Sequence, residues 1–120
     1  MVTESYKLSI LPGDGIGPEV MKSALSVLET VGQEYNLSFQ YDSYLVGGSS
    51  IDGSGSPITD EVIAACKDSD AVLLGAVGGP KWDSLPQDQK PEKGLLQLRE
   101  ALELYSNLRP ATIYPSLVDA

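Results

Sequence analysis

Ala71–Pro80, AVLLGAVGGP, reads as a strand running straight into a glycine-rich loop. Its first six residues are apolar throughout, without the alternation of a half-wet strand. That pattern predicts a central parallel strand covered on both faces. Loops at the carboxyl ends of such strands are where open α/β sheets bind ligands, and Gly78-Gly79 lets a ligand approach the backbone closely. The alternative for Gly78 to Trp82 is a plain turn, with Trp82 packed for its area.

Upstream, Tyr6, Leu8 and Ile10 alternate with Lys7 and Ser9, which predicts a strand over Tyr6–Leu11. PGDGIGP breaks it, and a helix is expected from about Pro18, with proline at its start and Glu19 in its first turn. Val20, Ala24, Val27, Leu28 and Val31 form its expected buried face, and Gly32 its stop. Leu37–Val46 is strand-like, with Phe39 and Tyr41 on one face. Ile51–Pro57, IDGSGSP, reads as a loop. Thr59 is placed to cap a short helix that buries Val62, Ile63 and Cys66. Strand and helix alternate, so the fold class is α/β with a largely parallel sheet and flanking helices.

Downstream, a polar segment bounded by Pro86 and Pro91 leads into a helix over about Glu92–Tyr105. Leu98, Leu102 and Tyr105 make an ordinary core face at helical spacing. Glu92, Leu95, Leu96 and Arg99 make a second face that mixes two leucines with a carboxylate and a guanidinium. Such a face suits a pocket wall, with the leucines against an alkyl group and Arg99 on a carboxylate. It equally suits a solvated Glu92–Arg99 edge with leucines filling a second core. Arg109, extended because it precedes Pro110, is placed to approach the same anion.

Gly13, Gly15 and Gly17 sit between a strand and a helix, where unpaired helix amides can hold an anion. The spacing is one residue short of the dinucleotide fingerprint G-x-G-x-x-G, and a tight turn needing positive φ explains the glycines as well. Asp14, Glu19, Asp52, Asp60, Asp68, Asp70 and Asp83 are scattered and read as surface, caps and turns, with no metal-loop spacing. Cys66 lies on an apolar helix face and reads as inert core.

Composition excludes several classes. The 120 residues are 42% hydrophobic and 21% charged, ordinary for a globular chain. With 8 basic and 17 acidic side chains the net charge is −9, which argues against nonspecific nucleic-acid or anionic-membrane binding. There is no histidine, so imidazole chemistry is absent from this chain. The single cysteine permits no intrachain disulfide and fits a reducing compartment, hence an expected cytoplasmic location. No targeting pattern is read at the N-terminus. The closing SLVDA completes no element, so the chain is expected to be the N-terminal piece of a longer protein.

Leu11–Val20 (LPGDGIGPEV), Ala71–Pro86 (AVLLGAVGGPKWDSLP) and Pro91–Ala111 (PEKGLLQLR through LYSNLRPA) together resemble the isocitrate/isopropylmalate dehydrogenase family of β-decarboxylating enzymes. The resemblance runs from about Tyr6 onward. It implies part of that family's fold, which is not a true Rossmann fold. Residues 1–99 would belong to the first, cofactor-side domain, and residues 100–120 would begin a second domain for substrate and dimerisation. It implies carboxylate binding by Arg99 and Arg109, and recognition of an isopropyl group beside the nicotinamide by Glu92, Leu95 and Leu96. It also implies NAD contacts from Ile16 and from the segment Gly79, Pro80, Lys81, Trp82, Asp83, Ser84, Leu85, Pro86, Gln87, Asp88, Gln89, Lys90, Pro91 and Glu92.

The isocitrate branch carries a serine and an asparagine where this chain has leucines. Leu95 and Leu96 would leave a third carboxylate without partners, which favours the isopropylmalate branch. The implied reaction is NAD-dependent oxidation of 3-isopropylmalate at the hydroxyl-bearing carbon, followed by loss of CO₂, as a step of leucine biosynthesis. Mg²⁺ or Mn²⁺ would assist. The metal ligands, the acid–base residues and a further arginine are expected outside this chain, in a homodimeric enzyme. Alone, the chain is expected to hold substrate contacts without a complete active site. A sibling enzyme for another 2-hydroxy diacid, or a short ligand-binding or dimerisation module, are the remaining alternatives.

Overall fold

Three parallel strands form the sheet of the computed structural model, which describes residues 4–119. Residues 1–3, part of the N-terminal stretch that shows no targeting pattern, and residue 120 of the closing SLVDA lie outside the described residues. The strands are β1 (Glu4–Gly13), β2 (Leu37–Ser43) and β3 (Ala71–Ala76), in the order β2-β1-β3. Leu8 of β1 stands opposite Tyr41 of β2 and Ala71 of β3. Thus β1 is central among the described residues. The apolar run of β3, expected at the centre, pairs on one side with β1, and none of its residues is fully buried. Apolarity on both faces required helices above and below the strand and carried no information about how many neighbours it has.

Helix α1 (Gly17–Tyr35) covers one face. There Leu8, Ile10 and Met21 are buried, flanked by Leu25, Leu28, Phe39 and Leu73. Helices α3 (Asp60–Lys67) and α4 (Pro91–Ala101) cover the other, where Leu11, Val46, Ile58, Val62, Cys66 and Leu98 form the larger core. Successive residues of β1 therefore feed opposite cores, as a pleated strand dictates.

Several sequence-based expectations shift. The buried line of α1 runs through Gly17, Met21, Leu25, Leu28 and Gly32, while Val20, Ala24 and Val27 face outward. Gly32 is not the stop: it lies inside the helix against Leu37 and the Phe39 ring, and the end comes at Asn36, in the left-handed region. The expected strand to Val46 ends at Ser43. Thr59 does cap α3, accepting from the Val62 N–H.

The expected loop Ile51–Pro57 is largely a short helix, α2 (Gly48–Ser54), followed by Gly55 in the left-handed region. Helix α4 stops at Ala101 rather than Tyr105, and Tyr105 is 99% exposed instead of joining Leu98 and Leu102 in the core. Glu103, with φ 54°, ends it: the Leu104 N–H donates to the Arg99 carbonyl and the Glu103 N–H to the Glu100 carbonyl. This is a Schellman closure built on a glutamate where glycine is usual.

Candidate functional site at the carboxyl ends of the strands

The loops that follow β1, β2 and β3 converge on Asp14. Its side chain is 5% exposed. Oδ2 accepts hydrogen bonds from the Gly48 N–H at 2.6 Å and the Gly78 N–H at 2.8 Å, and Oδ1 accepts from the Ser49 N–H at 2.7 Å. The Asp14 N–H donates to the Ala76 carbonyl at 2.7 Å. A carboxylate is an acceptor-only group, suited to three converging donors. Asp14 is a cap, as its reading among the scattered carboxylates allowed. It is also buried, and the helix it caps lies 34 residues further along the chain. Gly13 and Gly15 have positive φ, as a tight turn requires. At Gly17 the reason for glycine is packing, because a Cβ there would run into Pro12 and Ala76.

The segment from Gly79 to Glu92 is braced against α2. Pro80–Trp82 and Gln87–Gln89 are single 3₁₀ turns. The half-buried Trp82 indole lies flat on the Cα of Gly48, where no side chain would fit. Its Nε1–H donates to Asp52 Oδ1 at 3.2 Å, and Lys81 Nζ pairs with Asp52 Oδ2 at 2.6 Å. The ammonium stands 5.4 Å from the indole centroid, within cation–π range. Lys81, and secondarily the Trp82 N–H, hold the Asp52 carboxyl below the ordinary carboxylate range. Glu92 lays its carboxylate against the Cα of Gly78, which has φ 99°.

Helix α4 is seated by Gly94 on the Pro57 carbonyl and by buried Pro91 and Leu98. Among the expected substrate residues, Glu92 is exposed, Leu95 and Arg99 are half-buried and Leu96 is 55% exposed. Glu92 and Leu96 line one cavity of ≈ 310 Å³ together with Gln87, Asp88, Lys90 and Lys93. Arg99 opens instead on a second cavity, of ≈ 380 Å³, with Leu104, Tyr105, Ser106, Asn107 and Leu108. Arg109 lies on an exposed segment outside any helix or strand and lines neither, and Ile16 sits 58% exposed at the start of α1. Among the described residues, neither arginine forms an ion pair.

A larger cavity, ≈ 510 Å³, lies apart from these residues between α1 and the amino end of β2, lined by Leu28, Gly32, Leu37 and Phe39 among others. Among the described residues no three His, Cys, Asp or Glu side chains gather where a metal ion could be held, so the residues present do not fit one. No described helix is long and apolar enough to cross a membrane.

Gly94 carries no sequence signal of its site-building part, and Asp14 and Asp52 carry none beyond that of surface, cap and turn carboxylates. Their partners lie far along the chain, so no local spacing announced them.

The family model for isocitrate/isopropylmalate dehydrogenase matches residues 7–120. Among curated relatives, the 3-isopropylmalate dehydrogenases of Aquifex aeolicus and Synechococcus elongatus are 52% and 53% identical over 98% and 99% of this chain. The Bacillus subtilis enzyme of the same name is 52% identical over 95% of it. The chain spans about a third of the length of these relatives, 32%, 33% and 31% respectively. Two solved structures share the fold over 83% of this chain. They are a β-decarboxylating dehydrogenase from Thermococcus kodakarensis, with TM-score 0.62, 36% identity and 27% of its own length matched, and an isocitrate dehydrogenase from Methylococcus capsulatus, with 0.64, 26% and 26%.

Proposed function

The chain belongs to the isocitrate/isopropylmalate dehydrogenase family, and on that premise we propose that the protein oxidatively decarboxylates 3-isopropylmalate with NAD. The observation that carries this reading is the stripe of Glu92, Leu95, Leu96 and Arg99 at helical spacing along α4, with Glu92 and Leu96 lining one cavity and Arg99 opening on a second. Relatives named for that activity, at 50–53% identity, support it.

Arg99 and Arg109 hold the substrate carboxylates, Arg99 from the last turn of α4 and Arg109 from the segment beyond it. Leu95 and Leu96 take the isopropyl arm, and Glu92 lies between that arm and the nicotinamide. An isocitrate carboxylate in the same place would lose its hydration without gaining a donor, which costs several kcal/mol for an ion. The segment Gly79–Glu92, with Ile16, contacts NAD. There the Glu92 carboxylate packs on Gly78 and the Trp82 ring on Gly79, and the Asp52 pair with Lys81 and Trp82 braces the segment. When bound, NAD supplies the hydride acceptor. A divalent ion, Mg²⁺ or Mn²⁺, needs ligands other than the described residues.

Residues 1–99 are the beginning of a cofactor-side domain and residues 100–120 lead into a second one. The end of α4 at Ala101 and the exposed run after it support that division. The protein acts as a cytoplasmic homodimer. Turnover of 3-isopropylmalate, isocitrate, tartrate and malate with NAD by the full-length enzyme tests the assignment. It predicts the highest kcat/KM for 3-isopropylmalate, and a higher value for any of the others assigns the protein to a sibling activity.

A further inference from the structure

Asp14 touches no substrate-facing residue, yet both segments assigned to the site are anchored through it. One route passes through the Gly78 N–H, the Cα of Gly78 carries the Glu92 carboxylate, and Glu92 opens α4. The other passes through the Gly48 and Ser49 N–H groups at the start of α2. From there the Gly47 N–H donates to the Pro57 carbonyl at 2.7 Å, and that carbonyl seats Gly94 of α4. Trp82 rests on the same Gly48. Among the described residues no cation pairs with Asp14, so backbone dipoles alone meet its buried charge.

We propose that Asp14 is a positioning residue that clamps the loops after β1, β2 and β3 into one unit, and so fixes the NAD segment and α4 relative to each other. The clamp stands on geometry, and its consequence for NAD rests on the functional reading above.

The requirement is for a carboxylate rather than merely a polar group. Three N–H donors converge on two oxygens. An asparagine of the same shape must turn its NH₂ group toward at least one of those donors, leaving it buried and unpaired. Such a change removes the bond with little change of volume.

The test compares wild-type protein with Asp14→Asn. Amide hydrogen exchange at Gly48, Ser49 and Gly78 is expected to accelerate roughly tenfold or more at one of the three, the size of effect that losing one charge-assisted bond produces. Exchange along the β1–β2 ladder is expected to stay unchanged. The equilibrium Kd for NAD is expected to rise by about the same factor, and the KM for 3-isopropylmalate to rise with it, because α4 carries the substrate-facing residues. A merely stabilising role would lower the melting temperature and leave the NAD Kd of the folded fraction alone, and that result overturns the proposal.

If the variant does not fold, exchange in the wild type decides. The three amides must then be protected together by about a hundredfold over free loop amides, and any one exchanging freely overturns the clamp. Wild-type protein that binds NAD but does not oxidise 3-isopropylmalate refutes the substrate assignment, and the exchange and Kd readouts still decide the role of Asp14.

Discussion

Gly94 of α4 meets the carbonyl of Pro57 so closely that a methyl group at position 94 would stand 2.7 Å from that oxygen. Alanine is the better helix former by about 1 kcal/mol. Against that, the oxygen is backbone, and it is already fixed by the Gly47 N–H. Forcing a methyl group into such a contact costs about 1–3 kcal/mol. Gly94→Ala is therefore expected to destabilise the protein, by up to about 2 kcal/mol in urea unfolding. A gain in stability would show that α4 can ride away from Pro57.

Arg99 is half-buried and, among the described residues, free of any carboxylate. In the full-length enzyme, Arg99→Ala is expected to raise the KM for 3-isopropylmalate and to lower kcat/KM by the equivalent of about 2–5 kcal/mol, the loss of one partner of a desolvated charge pair. Lysine should restore this only in part, since it lacks the planar fork. Steady-state kinetics of the two variants check this, and unchanged constants would remove Arg99 from the site.

The Asp52–Lys81 pair gives a pH signature. Its carboxyl lies below the ordinary value of 3.8 in the folded protein, chiefly because of Lys81. A depressed carboxyl stabilises the fold above its unfolded pKa and loses that contribution as pH falls through the folded one. The stability difference between wild type and Lys81→Met should therefore be flat from about pH 7 to pH 5 and shrink below about 3.8. Both groups are exposed, so salt should shrink it as well. Urea midpoints against pH read both effects, and a difference that persists at the acid end would assign the effect to Lys81 packing on Trp82.

Glu103 holds a left-handed conformation, at a cost of about 1–2 kcal/mol for a residue with a Cβ. Glu103→Gly relieves that strain and keeps both closing hydrogen bonds, which use backbone only. Part of the gain is returned as entropy of the unfolded chain, so a net stabilisation of about 0.5–1 kcal/mol is expected. Thermal melting of the variant measures it, and destabilisation would mean that the Glu103 side chain is itself bonded.

The sequence showed the alternation of strands and helices plainly, because each element satisfies its own backbone and shows its own period. Helix α3 was legible down to its cap, since Thr59 and Val62 are three residues apart. Of the expected α1 face, Leu28 and Val31 are half-buried, with Leu28 on the core, but Val20, Ala24 and Val27 are apolar yet outward, and the contact line is completed by two glycines that no hydrophobicity pattern registers. Helix α2 was missed for a different reason. Its composition is that of a loop, and the carboxylate that starts it comes from Asp14, far away in sequence. Helical spacing puts Glu92 and Leu96 on one face of α4, and both line one cavity. It could not foresee that Arg99 opens on a different cavity, because that depends on where α4 ends, and Glu103 ends it early.

The run after α4 has a thermodynamic consequence. Residues 104–119, with Tyr105, Leu108, Ile113, Tyr114 and Val118 among them, are exposed along their whole length. Heat and urea act through the surface that unfolding newly wets. Side chains already hydrated in the native state add nothing to that surface. This chain should therefore absorb heat with the capacity increment of a distinctly smaller domain, and its urea slope should be shallow to match.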